Sequence, residues 1–238
     1  GLTKYDFDEM SVTAFAPGQK VTVVVDEGMA QPRWTLLAFH PDFLARTALG
    51  SKMSSYSYFS YNSNEALHLS KEEVELLGAV LGLIEREMKH NIDRHTRSII
   101  ISHIEVFLDY CLRFYERQFY SREIINNTII EKFNALLDEY LTHEIRHRGL
   151  PTVAYFADKL NLSPGYFGEL VKTSTGTTAK DMIADRLVCS ARELLNDLTL
   201  SITQVGDMLG FEYPQHFVRF FKRRTGRTPK EYRTISNN

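Results

Sequence analysis

From Ser70 to the C-terminus, apolar residues recur at intervals of three and four, the spacing of amphipathic helices. Val74, Leu77, Leu81, Ile84 and Met88 predict a helix to about Lys89, and Ser70 with Glu73 has the spacing of a capping box at its start. Ile100, Ile104, Phe107, Leu108, Cys111, Leu112 and Tyr115 predict a second, from Arg94 to about Tyr120. Ile125, Ile129, Phe133, Leu136, Leu137 and Leu141 predict a third, roughly Ser121 to His143. Earlier in the chain the pattern is different. Phe7 to Ala16, Lys20 to Asp26 and Trp34 to His40 are β-branched and aromatic runs broken by Pro17-Gly18 and Gly28, and they read as strands. Residues 41–69 form a polar connection in which Tyr56, Tyr58, Phe59 and Tyr61 suggest one more strand.

The last stretch, Ser201 to Arg233, has the most organised pattern. Ser201 with Gln204 and Thr228 with Glu231 are spaced as capping boxes, Gly210 marks a tight turn, and Pro229 fits a first helical turn. Phe217, Phe220 and Phe221 form one buried stripe. Gln215, His216, Arg219, Lys222 and Arg223 are left on the opposite face, a combination suited to a DNA major groove. The same grammar occurs about 50 residues upstream. Phe167, Leu170 and Val171 answer to the three phenylalanines, Pro164 to Pro214, Thr175-Gly176 to Thr225-Gly226, and Thr178 and Lys180 to Thr228 and Lys230. A one-residue shift in the turn aligns Asp158 with Asp207 and Leu160 with Leu209. Two helix-turn-helix units in tandem are predicted. The intervening helix, Ala179 to Asp197, turns Met182, Ile183, Leu187, Val188, Ala191, Leu194 and Leu195 inward. At 1.5 Å per residue it spans roughly 28 Å, near the spacing of about 34 Å between successive major-groove faces.

These residues resemble the DNA-binding domain of the AraC/XylS family of transcriptional regulators. The resemblance is carried by Ala157-Asp158-Lys159-Leu160, Leu162-Ser163-Pro164, Gly210-Phe211, Phe217, Phe220-Phe221-Lys222, Thr225-Gly226 and Thr228 to Arg233. It implies a seven-helix, homeodomain-like fold with two recognition helices in adjacent major grooves. The DNA-facing residues are then Pro164, Gly165, Tyr166, Gly168, Glu169 and Lys172 in the first unit. In the second they are Pro214, Gln215, His216, Arg219, Lys222 and Arg223. Gln215 suits adenine, Arg219 guanine and Glu169 cytosine N4, while Tyr166 suits a phosphate or a thymine methyl. Lys222, Arg223 and Arg224 suit phosphates, with Lys180 or Thr178 at the first unit's matching helix start. With Gly165 and Gly168 on its outer face, the first unit is poor in base contacts and is expected to rely on backbone and shape.

The family also implies an N-terminal cupin-like barrel, and FAPGQKVTVVVD resembles its closing strands. Three or four strands are available where about eight are needed, so the barrel's first half is expected to be missing. The expected fold is therefore mostly α. Residues 1–69 form a partial cupin-like β sensing domain, 70–148 a helical linker and dimerisation region, and 149–238 the DNA-binding domain. The resemblance implies promoter DNA, RNA polymerase, a small-molecule effector and a second copy of the chain as partners.

Composition adds three constraints. The net charge of −2 conceals an asymmetry: from Arg146 onward there are 14 basic and 9 acidic residues, against 14 and 21 before it. A basic C-terminal third fits DNA binding. No run of eighteen apolar residues and no signal-peptide pattern at the start point to a cytoplasmic protein without a membrane span. Cys111 and Cys189 are read as buried free thiols.

Catalysis, cofactors and metals are not expected. His143-Glu144-Ile145-Arg146-His147 matches the zinc-protease pattern H-E-x-x-H, but Gly149 and Pro151 end the helix one turn later and no third ligand follows in place. A metal-dependent cupin would need clustered histidines after the Pro-Gly turn. Gln19 and Lys20 stand there, and His40 and His68 are lone residues.

Overall fold

A computed structural model describes residues 10–22, 33–121 and 123–236. The chain divides into two compact units, Gly1–Ser121 and Arg122–Asn238.

The N-terminal unit is built on two helices, α3 (Lys71–Lys89) and α4 (Thr96–Ser121). The Ser70–Glu73 capping box closes as read from the sequence: Glu73 N–H donates to Ser70 Oγ at 3.3 Å and Ser70 N–H to Glu73 Oε2 at 2.8 Å. Asp93 starts α4 by accepting from the amides of His95 and Thr96 at 2.7 and 3.0 Å. Two short helices, α1 (Pro41–Leu44) and α2 (Ala48–Lys52), precede them.

The cupin-like barrel is not present among the described residues. Their strands are β1 (Ser11–Val12) and β2 (Leu67–His68), one antiparallel pair with Ser11 opposite His68, and two strands of two residues cannot close a barrel. Trp34 to His40 is not a strand. A strand needs a hydrogen-bonding neighbour and a covered face, and Trp34 and Leu36 are 73% and 68% exposed. The parts of the other two runs at 7–9 and 23–26 lie outside the described residues. The further strand expected around the tyrosines is also absent. That segment makes three 3₁₀ turns, Met53–Ser55, Ser57–Ser60 and Ser63–Glu65, and its rings pack on α4. Tyr58 stacks on Tyr115 at 5.4 Å and its hydroxyl donates to Leu108 O at 3.0 Å. The Tyr56 hydroxyl donates to Asp109 at 2.7 Å, and Lys52 bonds the same carboxylate at 2.8 Å. The aromatic run is thus a strap over a helix.

The C-terminal unit is all helical: α5 (Glu123–Glu139), a π turn (Tyr140–Glu144), α6 (Ile145–Arg148), α7 (Val153–Lys159), α8 (Pro164–Thr175), α9 (Ala179–Asn196), α10 (Ile202–Met208), α11 (Pro214–Thr225) and α12 (Pro229–Ser236). One core joins Phe133 and Leu137 of α5 to Phe156, Phe167, Leu187, Val205, Phe217 and Phe221. The helix read as the third of the linker therefore shares a core with both helix-turn-helix units. No helix among the described residues is long and apolar enough to cross a membrane.

Both cysteines are free, but only Cys111 is buried, whereas Cys189 is exposed on α9. Burial pushes the Cys111 thiol up to about 12, away from its reactive thiolate form. Native chains are expected to give one fast thiol equivalent with a disulfide reagent, and a second only in denaturant. Two fast equivalents would show that the α4 core opens readily.

Candidate nucleic-acid interface

The two helix-turn-helix units share the hydrogen bonds of their turns and of their recognition-helix ends. In the first turn Asn161 takes φ 57° and Leu162 N–H donates to Ala157 O at 2.9 Å; in the second Gly210 takes φ 75° and Phe211 N–H donates to Gly206 O at 3.0 Å. The recognition helices end identically. Gly176 and Gly226, at φ 73° and 78°, donate to Lys172 O and Lys222 O, each at 2.8 Å. Thr175 and Thr225 hydroxyls donate to Val171 O and Phe221 O, each at 2.8 Å. Their starts differ in detail. Ser163 caps α8 through Tyr166 N–H at 3.2 Å, whereas Tyr213 precedes Pro214 of α11 without a side-chain cap.

The two outer faces are chemically unlike. On α11, Gln215, His216, Arg219, Lys222 and Arg223 are all exposed, Pro214 is half-buried, and Phe217 and Phe221 are fully buried behind them. His216 has its ring edge-on to Tyr213 at 5.3 Å. On α8, Pro164 and Lys172 are exposed and Gly165, Gly168 and Glu169 are half-buried. Tyr166 is not outward, as the sequence reading had it, but 6% exposed. It lies four residues before Leu170, so it shares the buried face despite its polar tip. Its counterpart His216 precedes Phe220, which is only partly buried, and stays outside. The charged outward groups of α8 are thus Glu169 and Lys172 alone. A Cβ added at Gly168 would meet nothing within 4 Å.

Arg224, read as a phosphate contact, is instead tied to α9, with Nη2 2.6 Å from Asp181 and Nη1 3.9 Å from Asp185. Thr178 is likewise occupied as the N-cap of α9, donating to Asp181 at 2.6 Å and accepting from its amide at 3.1 Å. Arg233 fastens α12 over the α9–α10 junction by donating to Leu195 O at 3.0 Å and Leu200 O at 2.8 Å. These struts fix the second unit on the spacer helix. The sequence carries no local signal for them, because the partners are 33 to 43 residues apart. Arg227 and Lys230, exposed beside the start of α12, are further basic groups to which the sequence reading assigns no DNA contact.

The Thr178 hydroxyl and then the Arg224 guanidinium hold Asp181 below its ordinary value of 3.8. A carboxylate depressed in the folded state adds stability above that ordinary value and loses it as pH falls through the folded one. Asp181→Asn is expected to flatten the acid limb of unfolding below about pH 4 and leave neutral-pH DNA binding unchanged, as measured by circular dichroism against pH and by titration with duplex. An unaltered acid limb would show the ion pair to be inert.

The H-E-x-x-H segment has a structural use. Glu144 accepts from the Tyr155 hydroxyl at 3.0 Å and from Arg148 Nε at 2.7 Å. Among the described residues no three His, Cys, Asp or Glu side chains are grouped to hold a metal ion.

Residues 156–235 match the family model described as a helix-turn-helix domain. The chain is 25% identical over 111 residues to the HTH-type transcriptional regulator YobQ of Bacillus subtilis, covering 41% of this chain and 46% of that protein. It is 34% identical over 80 residues to the xylose operon regulatory protein of Escherichia coli, covering 34% and 20%. It spans less than half the length of these curated relatives. Among solved structures it is similar to the C-terminal domain of the response regulator yesN from Fusobacterium nucleatum, with a TM-score of 0.38 and 26% identity over 42% of this chain and 96% of that one. The matched family model lies wholly within the C-terminal unit, and no cupin-like barrel is present among the described residues. The class matched is non-enzymatic, and the C-terminal region is an AraC/XylS-like helix-turn-helix DNA-binding domain.

Proposed function

We propose that the chain is a sequence-specific transcription regulator that sets α8 and α11 into successive major grooves on one face of promoter DNA. The observation that carries this reading is the duplicated helix-turn-helix, with α11 presenting five exposed polar or basic side chains backed by buried phenylalanines. Helix α9, 18 residues long, spans about 27 Å, close to the groove repeat of about 34 Å. In this reading Gln215 and Arg219 address base edges, His216 a base or phosphate, and Lys222 and Arg223 the phosphates. Pro164, Gly165, Gly168, Glu169 and Lys172 bring α8 against the groove with few base contacts, and Pro214 sets the entry of α11. The protein works in the cytoplasm beside RNA polymerase, and the N-terminal unit is where an effector would act.

The test is fluorescence anisotropy with a random duplex pool and the sequences enriched from it, at two salt concentrations. Enriched sequences are expected to bind at least about 10³-fold more tightly than random duplex, with affinity falling steeply as salt rises. Equal affinity for all sequences would replace this reading with that of an architectural binder. No binding would remove it.

A further inference from the structure

Helices α7, α8, α9, α10 and α12 each begin on a serine or threonine whose hydroxyl accepts from an amide of the first turn. The caps are Thr152, Ser163, Thr178, Ser201 and Thr228, at 3.1 to 3.3 Å. Among the described residues of this domain α11 is the exception. Its N-cap is Tyr213, whose side chain bonds no amide of the helix, where the matching residue of the first unit is Ser163. Packing does not make up for the missing cap. Tyr213 is 46% exposed although aromatic, and its hydroxyl makes no hydrogen bond among the described residues. Its ring contact is with His216, 5.3 Å away and tilted by 73°. A local rule broken with no gain to the fold marks a functional position.

The N-terminal end of a recognition helix is the part that meets base edges. Tyr213 and His216 flank Gln215 there, and Arg219 follows three residues after His216. Gln215, His216 and Arg219 address hydrogen-bonding groups. An aromatic ring adds an apolar contact, and in the major groove the apolar mark of a base pair is the C5-methyl of thymine. The histidine against the ring narrows its freedom, so less conformational entropy is lost on contact. We propose that Tyr213 is a specificity-determining residue of the second unit, its ring packing on the C5-methyl of a thymine at the start of α11. The proposal rests on the DNA-binding reading and adds an apolar reader beside the polar ones. The competing contact is the tyrosine hydroxyl on a phosphate, and the variants separate the two.

The test is anisotropy titration of the whole chain with an enriched duplex in which each thymine in turn is replaced by deoxyuridine, which lacks only the methyl group. At one thymine the wild-type chain is expected to lose about three- to fivefold in affinity, the effect of one methyl removed from water. Tyr213→Phe is expected to match the wild type on both duplexes. Tyr213→Ala is expected to bind the enriched duplex about tenfold more weakly and no longer to distinguish the two bases at that position. Tyr213→Ser, which restores a cap like that of Ser163, is expected to raise the denaturant midpoint while losing the same discrimination. A purely structural role would not move stability and selectivity in opposite directions. The proposal is overturned if no deoxyuridine weakens binding, or if Tyr213→Ala still distinguishes the two bases. It is also overturned if Tyr213→Phe loses as much affinity as Tyr213→Ala, which would put the hydroxyl on a phosphate. Arg219→Ala, run beside them, keeps the two readings apart. If it relaxes selectivity and the tyrosine variants do not, this contact alone is wrong; if the wild type selects no sequence, the DNA-binding reading falls with it.

Discussion

Replacing Gly210 by alanine is expected to destabilise the C-terminal unit by about 2–5 kcal/mol, whereas Asn161→Gly, at the matching turn, should change it by less than about 1 kcal/mol. The two residues occupy the same left-handed corner, at φ 75° and 57°. The backbone strain of a side chain there is roughly 1–2 kcal/mol, and asparagine tolerates that corner better than most residues. Surroundings make the difference. A Cβ on Gly210 would lie 2.8 Å from the carbonyl carbon of Gly149 and 2.9 Å from Ile145 O, both backbone atoms that no rotamer change can move. Relief requires the α10–α11 turn to part from the end of α6, an overpacking cost of about 1–3 kcal/mol. Denaturant unfolding with a probe in the C-terminal unit measures this. Equal losses at the two turns would show that the close approach is absorbed at no cost.

That comparison also shows which features can be read from sequence. The C-terminal unit depends on signals confined to one helical turn: Ser201 with Gln204, Thr228 with Glu231, the Gly176 and Gly226 ends and the Phe217–Phe221 stripe. All of these form. Features that depend on distant partners are not legible. The tyrosine segment suggests a strand by alternation, yet its rings pack on α4, with Tyr58 bonded to a carbonyl 50 residues away. Trp34 to His40 has β propensity but no neighbouring strand, and propensity without a partner does not make a sheet. Tyr166 is misplaced for a local reason. A polar tip suggests an outward residue, but helical geometry puts it on the Leu170 side. Arg224 looks like its neighbours in a basic run, and only the fold reveals Asp181 across from it.

Arg219→Ala is expected to reduce affinity for an enriched duplex by about 10- to 100-fold while leaving random duplex nearly unaffected, the signature of a lost base contact. Stability should stay within about 0.5 kcal/mol, because the side chain is exposed and makes no hydrogen bond or ion pair among the described residues. Lys222→Ala should behave differently, weakening all duplexes alike and lowering the salt slope by about one. Glu169→Ala on α8 is expected to cost roughly ten times less in selectivity than Arg219→Ala, since a bidentate arginine on guanine is the stronger reader. Around Glu169 two glycines offer no side chain and Tyr166 is turned inward. Anisotropy titration of the three variants against one enriched and one scrambled duplex separates these effects. If Glu169→Ala relaxed selectivity as much as Arg219→Ala, the units would read DNA equally, and the difference between their outer faces would have no consequence for recognition.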